Sequence, residues 1–276
     1  MILVTGGTGK LGRRLVADLV ARGERVRVLT RDARRAEGLS GAEIVVGDLR
    51  DAAAIESAVR GVDAIVSAAH GFQGPGGVTP EAIDRDANRT LVRAARDAGV
   101  KRFVLVSMHG ASADHPMSLA RAKFAAEEDL AKSGLPHAIL RAAAFLETWI
   151  LIFGERGAPV FGPGTNPISF VSVRDVASLA MLALDGALDG ETVDIGGPQA
   201  IGLLAVAERV AKKPIKHVPL PALRAMSIVA RPFAPEFARL ARAAVAMNTM
   251  NMVVSTAVRT RFPALPATTL DDVLAS

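Results

Sequence analysis

The 276-residue chain has no cysteine and no tyrosine, a single tryptophan, and aromatic residues at only 4% of positions. Without cysteine there is no disulfide, no thiolate nucleophile, no thiolate metal site and no iron–sulfur cluster. The five histidines (His70, His109, His115, His137 and His217) are scattered and none sits in an HExxH pattern, so no metal site is expected. No apolar run approaches the ~18–20 residues that cross a bilayer. The chain opens on Met-Ile-Leu-Val-Thr-Gly, which reads as a strand and not as a secretory leader, so the expectation is a cytoplasmic protein with no membrane partner. The formal charge is +5, yet the arginines are spread over helix-like segments and aromatics are few, which argues against nucleic acid as partner. The basic residues that do concentrate are Lys10, Arg13, Arg14, Arg31, Arg34 and Arg35.

What is present is a repeated unit: an amphipathic helix, a glycine, then a short apolar strand. Gly23, Gly61, Gly99 and Gly134 each precede such a strand, and glycine past a helix end takes the left-handed conformation without a Cβ clash. Strands are expected near 1–5, 25–30, 42–46, 62–67, 102–107 and 136–141. Strands alternating with helices imply crossovers and an α/β fold, a doubly wound parallel sheet of Rossmann type. The rhythm breaks after about residue 142. Residues 154–167 are turn-rich, 168–171 read as a strand, and Ser172 can cap a helix to about Leu184 with Asp175 in its first turn. A further helix at 202–212, a short strand at 214–220 and an Ala- and Met-rich helical stretch at 222–259 complete a smaller, mainly helical C-terminal substrate lobe. The expected division is 1–142 and 143–276, with 168–184 returning to the core.

The first turn, Gly6-Gly7-Thr8-Gly9-Lys10-Leu11-Gly12, satisfies both G-x-x-G-x-x-G and G-x-G-x-x-G. It follows an apolar strand and opens a helix with Leu11, Leu15, Val16 and Leu19 on one face, the context in which such glycines let a pyrophosphate approach the backbone and a helix N-terminus. A Walker A loop is excluded because Leu11 follows Lys10. At the end of the second strand stands Thr30-Arg31-Asp32. Arg31 suits a 2′-phosphate in bidentate fashion, whereas Asp32 suits a ribose hydroxyl; NADP(H) is preferred and NAD(H) stays possible. Asp48 and Leu49 fall where an adenine ring would rest, Asp51 being better placed than Asp48 to cap the next helix. Ala68, Ala69 and His70 would line the ribose side of the cofactor, with His70 equally readable as a plain loop histidine.

Thr-Gly-Gly-Thr-Gly-Lys-Leu-Gly, Leu-Thr-Arg-Asp, Gly-Asp-Leu, Val-Leu-Val-Ser and Arg-Ala-Lys-Phe-Ala-Ala-Glu together resemble the atypical short-chain dehydrogenase/reductases. Within them the chain is most similar to the NmrA-like, NAD(P)H-binding group that includes quinone reductases and redox-sensing regulators. The resemblance continues through Ser-Gly-Leu-Pro, Ile-Ser-Phe-Val-Ser-Val-Arg-Asp-Val-Ala and Asp-Ile-Gly-Gly-Pro, covering about residues 1–220. It implies that Gly6, Thr8, Gly9, Lys10, Leu11, Arg31, Asp48, Leu49 and Lys123 touch the cofactor, with Lys123 at the nicotinamide ribose. The Tyr-dependent members carry their proton-donating tyrosine four residues before that lysine; here the position is Leu119.

Leu119 transfers no proton. Ser107 and Lys123 remain as catalytic candidates, and His109 is an alternative acid because its unperturbed pKa suits proton transfer. The missing tyrosine fits an acceptor that needs little help with its proton, such as a quinone, for which the protein contributes mainly position. Phe145, Trp149 and Phe153, spaced i, i+4, i+8, would wall a pocket for such a small-molecule substrate or form an aromatic stripe in the core. The expectation is thus an NADP(H)-dependent oxidoreductase, against which stands a non-catalytic NADP(H)-sensing regulator of a protein partner. Oligomeric state has no signature in the sequence.

Overall fold

The computed structural model describes residues 1–72 and 78–276. Among them run, in chain order, β1 (Ile2–Thr5), β2 (Val26–Thr30), β3 (Ala42–Val46), β4 (Ala64–Ser67), β5 (Arg102–Met108), β6 (His137–Ala142), β7 (Val160–Phe161), β8 (Glu191–Ile195) and β9 (His217–Val218). Seven form one parallel sheet in the order β3-β2-β1-β4-β5-β6-β8, and β7 and β9 make a separate parallel pair. The centre of the sheet is buried: Ile-Leu-Val-Thr of β1 is wholly buried, while β3 at the edge keeps partial exposure. That contrast is the expected signature of a parallel sheet covered on both faces. In β1, Val4 pairs with Val28 on one side and Val66 on the other. The strand order therefore reverses between β1 and β4, and the crevice at their carboxyl ends is where sheets of this kind bind ligands.

The α-helices up to residue 184 are, in chain order, α1 (Lys10–Ala21), α2 (Ala52–Val59), α3 (Asn88–Asp97), α4 (Ser118–Ala131), a short α5 (Leu146–Ile150) and α6 (Val173–Leu184). Alternate strand residues Leu3, Ile65, Phe103 and Ile139 pack with Ile55 of α2, Leu91 of α3 and Leu130 of α4. Each such side chain contributes about 1.5–3 kcal/mol by leaving water. Gly23, Gly61, Gly99 and Gly134 have φ of 82°, 70°, 71° and 79° with no atom near a would-be Cβ, so dihedral angle and not crowding requires glycine at these helix ends.

The chain divides into two compact units. The first comprises Met1–Ala113, Leu119–Arg141 and Val176–Val193; the second comprises Asp114–Ser118, Ala142–Asp175 and Asp194–Ser276. The core of the second gathers Phe153, Ile168, Phe170, Leu203 and Val206, with Trp149 against it. No strand forms over 168–171. Ile168 bridges Ile201 and Met252 while Val171 bridges Phe145, so the partners come from separate segments and no ladder develops. The strand expected at 214–220 shrinks to β9. The helical stretch at 222–259 splits into Leu220–Val229, Pro235–Thr249 and Ala257–Arg261, the first break falling at Pro232 and Pro235, which lack the N–H a continuous helix needs. Ser172 does cap α6, its Oγ accepting from the Arg174 N–H at 3.2 Å. Asp175 is fully buried and held by Arg259 at 2.6 Å and by Thr268.

Candidate functional site

Thr5 ends β1 and the chain turns at once. Gly6 has φ +75°, and a Cβ there would stand 2.6 Å from the Ala69 nitrogen in the loop after β4. A Cβ on Gly7 would meet Val28 at 2.7 Å, and one on Gly12 would meet the Gly6 carbonyl oxygen at 2.1 Å. Gly9 is less constrained: its nearest neighbour would be the Gly6 oxygen at 3.3 Å. The Gly9 N–H donates to the Gly6 carbonyl at 3.0 Å, closing the turn. Gly9 is also the N-cap of α1 and supplies no side-chain acceptor. The first-turn N–H groups are therefore left for a ligand, at the positive end of the helix dipole. Thr8 is half-buried, Lys10 is exposed, and Leu11 is buried beneath the turn. A cradle that any side chain would fill, beside uncapped helix donors, fits a pyrophosphate.

Three of the six concentrated basic residues already have protein partners. Arg13 donates to the Glu37 carbonyl at 3.0 Å, Arg14 pairs with Asp18 at 2.8 Å and Arg34 pairs with Asp32 at 3.2 Å. Asp32 also accepts the Arg34 N–H, capping a 3₁₀ turn over Ala33–Ala36. The Arg34 hydrogen bond holds the Asp32 carboxyl below the ordinary carboxylate range. Among the described residues Lys10, Arg31 and Arg35 make no ion pair and no side-chain hydrogen bond. The acid that favours a ribose hydroxyl is thus occupied, and the Arg31 guanidinium beside it is exposed and makes no ion pair or side-chain hydrogen bond among the described residues.

Asp48 follows β3. It accepts the Arg50 backbone N–H at 2.9 Å and pairs with the Arg50 guanidinium at 2.6 Å, and Arg50, with a smaller contribution from Arg31, lowers its pKa. Asp51, as expected, is the cap of α2 and accepts from Ala53 at 3.0 Å. Leu49 is half-buried against the core.

The loop after β4 carries Ala68, Ala69 and His70, and beneath it lies a buried charged cluster. Lys123 of α4 is 5% exposed. Its Nζ donates to the Ala69 carbonyl at 3.2 Å and the Val106 carbonyl at 2.8 Å, and faces Asp84 Oδ1 at 3.0 Å. The second oxygen of Asp84 accepts the Gly71 N–H at 2.7 Å. Asp84 lies in a π-helical turn over Glu81–Ala87, a wide turn often found at functional sites. His70 itself is exposed on this loop; partial loss of hydration beside the protein draws its imidazole below the ordinary pKa, with Asp84 opposing that shift and Lys123 adding to it.

Ser107 and Lys123 have separate partners. The Ser107 hydroxyl donates to Glu127, one turn beyond Lys123 on α4, and Glu127 also binds Arg141 at 2.5 Å. Leu119 and His109 are half-buried. Phe145 and Trp149 belong to the second unit. There Trp149 packs at 5.4 Å from Phe153 and 6.4 Å from Phe170, measured between ring centroids.

Asp84, Asn88, Glu127 and Arg141 were not among the residues expected to matter. Asp84 and Asn88 stand at i and i+4 on the stripe that continues through Leu91 and Ala95, all buried. Polar residues on a core-facing stripe were the available signal. Among the described residues no helix is long and apolar enough to cross a membrane, and no three His, Asp or Glu side chains cluster as metal ligands.

Comparison with known proteins finds relatives in sequence and in fold. The photosystem II assembly factor Ycf39 of Synechocystis sp. is 30% identical over 247 residues, spanning 84% of this chain and 74% of its own. An NAD(P)H azoreductase of Xenophilus azovorans is 29% identical over 228 residues, 79% of this chain and 76% of the relative. In fold, the chain is similar to an NADPH-dependent quinone oxidoreductase from Escherichia coli complexed with NADPH, with TM-score 0.78, 22% identity, and coverage of 100% of this chain and 99% of that one. The sequence profile described as NAD(P)H-binding matches residues 6–186, more than half the chain and all of the glycine turn, and with it the chain belongs to the NAD(P)H-binding family.

Proposed function

We propose that the chain is an NADP(H)-dependent oxidoreductase acting on a small quinone-like or other conjugated acceptor. The observation that carries the reading is the pairing of a crowded glycine cradle at Gly6, Gly7 and Gly12 with an exposed Arg31 that makes no ion pair or side-chain hydrogen bond among the described residues and whose acidic neighbour, Asp32, is already occupied. In this reading the turn and the first N–H groups of α1 take the pyrophosphate, and Arg31 takes the 2′-phosphate. Leu49 packs the adenine, and Asp48 marks its polar edge. Ala68, Ala69 and His70 flank the ribose side. The bound nicotinamide supplies hydride; the protein supplies position, charge complementarity and exclusion of water. With Leu119 in place of a tyrosine and Ser107 given to Glu127, the proton comes from solvent or from His109. Reductases among the similar proteins, the azoreductase and the quinone oxidoreductase, support this class of reaction.

A second reading, a non-catalytic NADP(H)-sensing protein that acts on a partner, is favoured by Leu119 and by the assembly factor among the relatives. Absorbance at the nicotinamide band with a panel of quinones separates the two. Oxidation of NADPH with at least one quinone is expected; tight NADPH binding with no turnover on any acceptor would sink the enzyme and leave the sensor.

A further inference from the structure

We propose that Asp84 is a positioning residue of the cofactor cradle: its carboxylate, together with Lys123, braces the 69–71 loop against Gly6. The inference rests on the cofactor reading above and deepens it. The two oxygens of Asp84 act on the loop by different routes. Oδ2 accepts the Gly71 N–H directly at 2.7 Å, while Oδ1 faces the Lys123 ammonium at 3.0 Å. Lys123 in turn donates to the Ala69 carbonyl at 3.2 Å and to the Val106 carbonyl at 2.8 Å. The loop is thus held at residue 69 by a donor and at residue 71 by an acceptor, both fixed in the interior, where Asp84 is fully buried.

The brace reaches the glycine turn. Gly6 is in contact with this loop, since a Cβ on it would overlap both the Ala69 nitrogen and the Ala68 carbonyl group. A second path arrives through side chains. The Asp84 carbonyl accepts from Asn88 Nδ2 at 3.0 Å, Asn88 Oδ1 accepts from Ser67 Oγ at 2.6 Å, and Ser67 Oγ accepts from Thr5 Oγ1 at 3.2 Å. Thr5 immediately precedes Gly6. Asn88 Nδ2 also caps the Ile83 carbonyl at 3.3 Å, so the wide π turn leaves both of these carbonyls satisfied. Every side chain in this path is buried. The loop after β4 is therefore tied to the Asp84 carboxylate and the end of β1 to the Asp84 backbone carbonyl, so that a shift of this one residue moves the floor on which the cofactor rests.

The test compares the native chain with D84N, K123M, K123R and the D84N/K123M double variant. Dissociation constants for NADPH and NADH are read by nicotinamide fluorescence, and folding is checked by the thermal midpoint. D84N keeps the shape and removes the charge. It is expected to weaken both cofactors by the same factor, about tenfold, leaving the NADPH-to-NADH ratio unchanged. The double variant should bind no more weakly than D84N, because the two residues act as one brace, and K123R should retain affinity. A folded D84N with native affinity, or losses that multiply in the double variant, would overturn the brace alone. If D84N does not fold, K123M against K123R carries the same comparison, and equal affinity of those two overturns it. A native chain that binds neither cofactor defeats the function reading itself and the brace with it.

Discussion

The α carbon of Gly12 lies so close to the Gly6 carbonyl that a Cβ on it would stand 2.1 Å from that oxygen, with the Gly7 Cα at 2.6 Å. Both neighbours are backbone, so neither moves aside as a flexible side chain would. Gly12→Ala should therefore cost about 3 kcal/mol or more of unfolding free energy, the upper range for overpacking, and abolish NADPH binding. Gly9→Ala, with its nearest contact at 3.3 Å, should cost under about 1 kcal/mol. Urea denaturation of the two variants checks this; equal losses would refute the packing argument.

Arg31→Ala should weaken NADPH by about 10- to 100-fold, the range for losing charge-assisted hydrogen bonds to a phosphate, and leave NADH nearly unaffected. Titration of the variant with both cofactors decides it, and equal losses would dismiss the 2′-phosphate role.

Asp48 gives a pH signature. Arg50, and to a lesser extent Arg31, hold its folded-state pKa below the ordinary carboxylate value. A depressed carboxylate contributes stability that is fully present above its unfolded pKa of ~3.9 and is lost as pH falls through the folded pKa. The native chain should thus exceed Asp48→Asn in thermal midpoint by a constant margin from pH 5 to 8, and the margin should close below about pH 4. The gap is small, under about 1 kcal/mol, because the pair is partly exposed. A margin that drifts between pH 5 and 8 would point to another group.

The buried Glu127 pairs with the half-buried Arg141 and also accepts the Ser107 hydroxyl. Glu127→Leu takes the carboxylate from Arg141 and the acceptor from the Ser107 hydroxyl, and should cost about 2–4 kcal/mol in urea unfolding. The double variant Glu127→Leu/Arg141→Leu should recover part of that loss. No recovery would mean that Ser107, and not Arg141, is the partner that matters.

His109→Ala should leave quinone reduction within a few-fold of native. A fall of about 100-fold or more in kcat would identify His109 as the acid.

The regular part of the fold was legible because its causes are local. Glycines at the helix ends marked the strands that follow, and the six strands expected between residues 1 and 142 all form within a few residues of their expected bounds. The failures lie where pairing is not local. The segment at 168–171 has strand-like residues, but Ile168 and Val171 find single bridges to distant segments. β8, the seventh strand of the sheet, was not singled out: its Glu-Thr-Val-Asp-Ile is short and mixed in polarity, and it gains its place beside β6 only through the return of the chain.

At the candidate site the residue types were legible and their availability was not. Six basic residues looked alike in the sequence, yet Arg13, Arg14 and Arg34 are bound to protein groups while Lys10, Arg31 and Arg35 are not. Lys123 was legible as a residue of interest, but its partner Asp84, 39 positions earlier in the chain, was not.

The sequence by itself determined the glycine turn, the parallel α/β order and the absence of a tyrosine at position 119, because dihedral preference, hydrophobic period and side-chain chemistry reside in neighbouring residues. Only the tertiary structure decided which charges are spent and which are spare. A buried charge must find a partner, and here the partners come from other strands and helices: Asp84 for Lys123, Arg141 for Glu127, and Arg259 for Asp175.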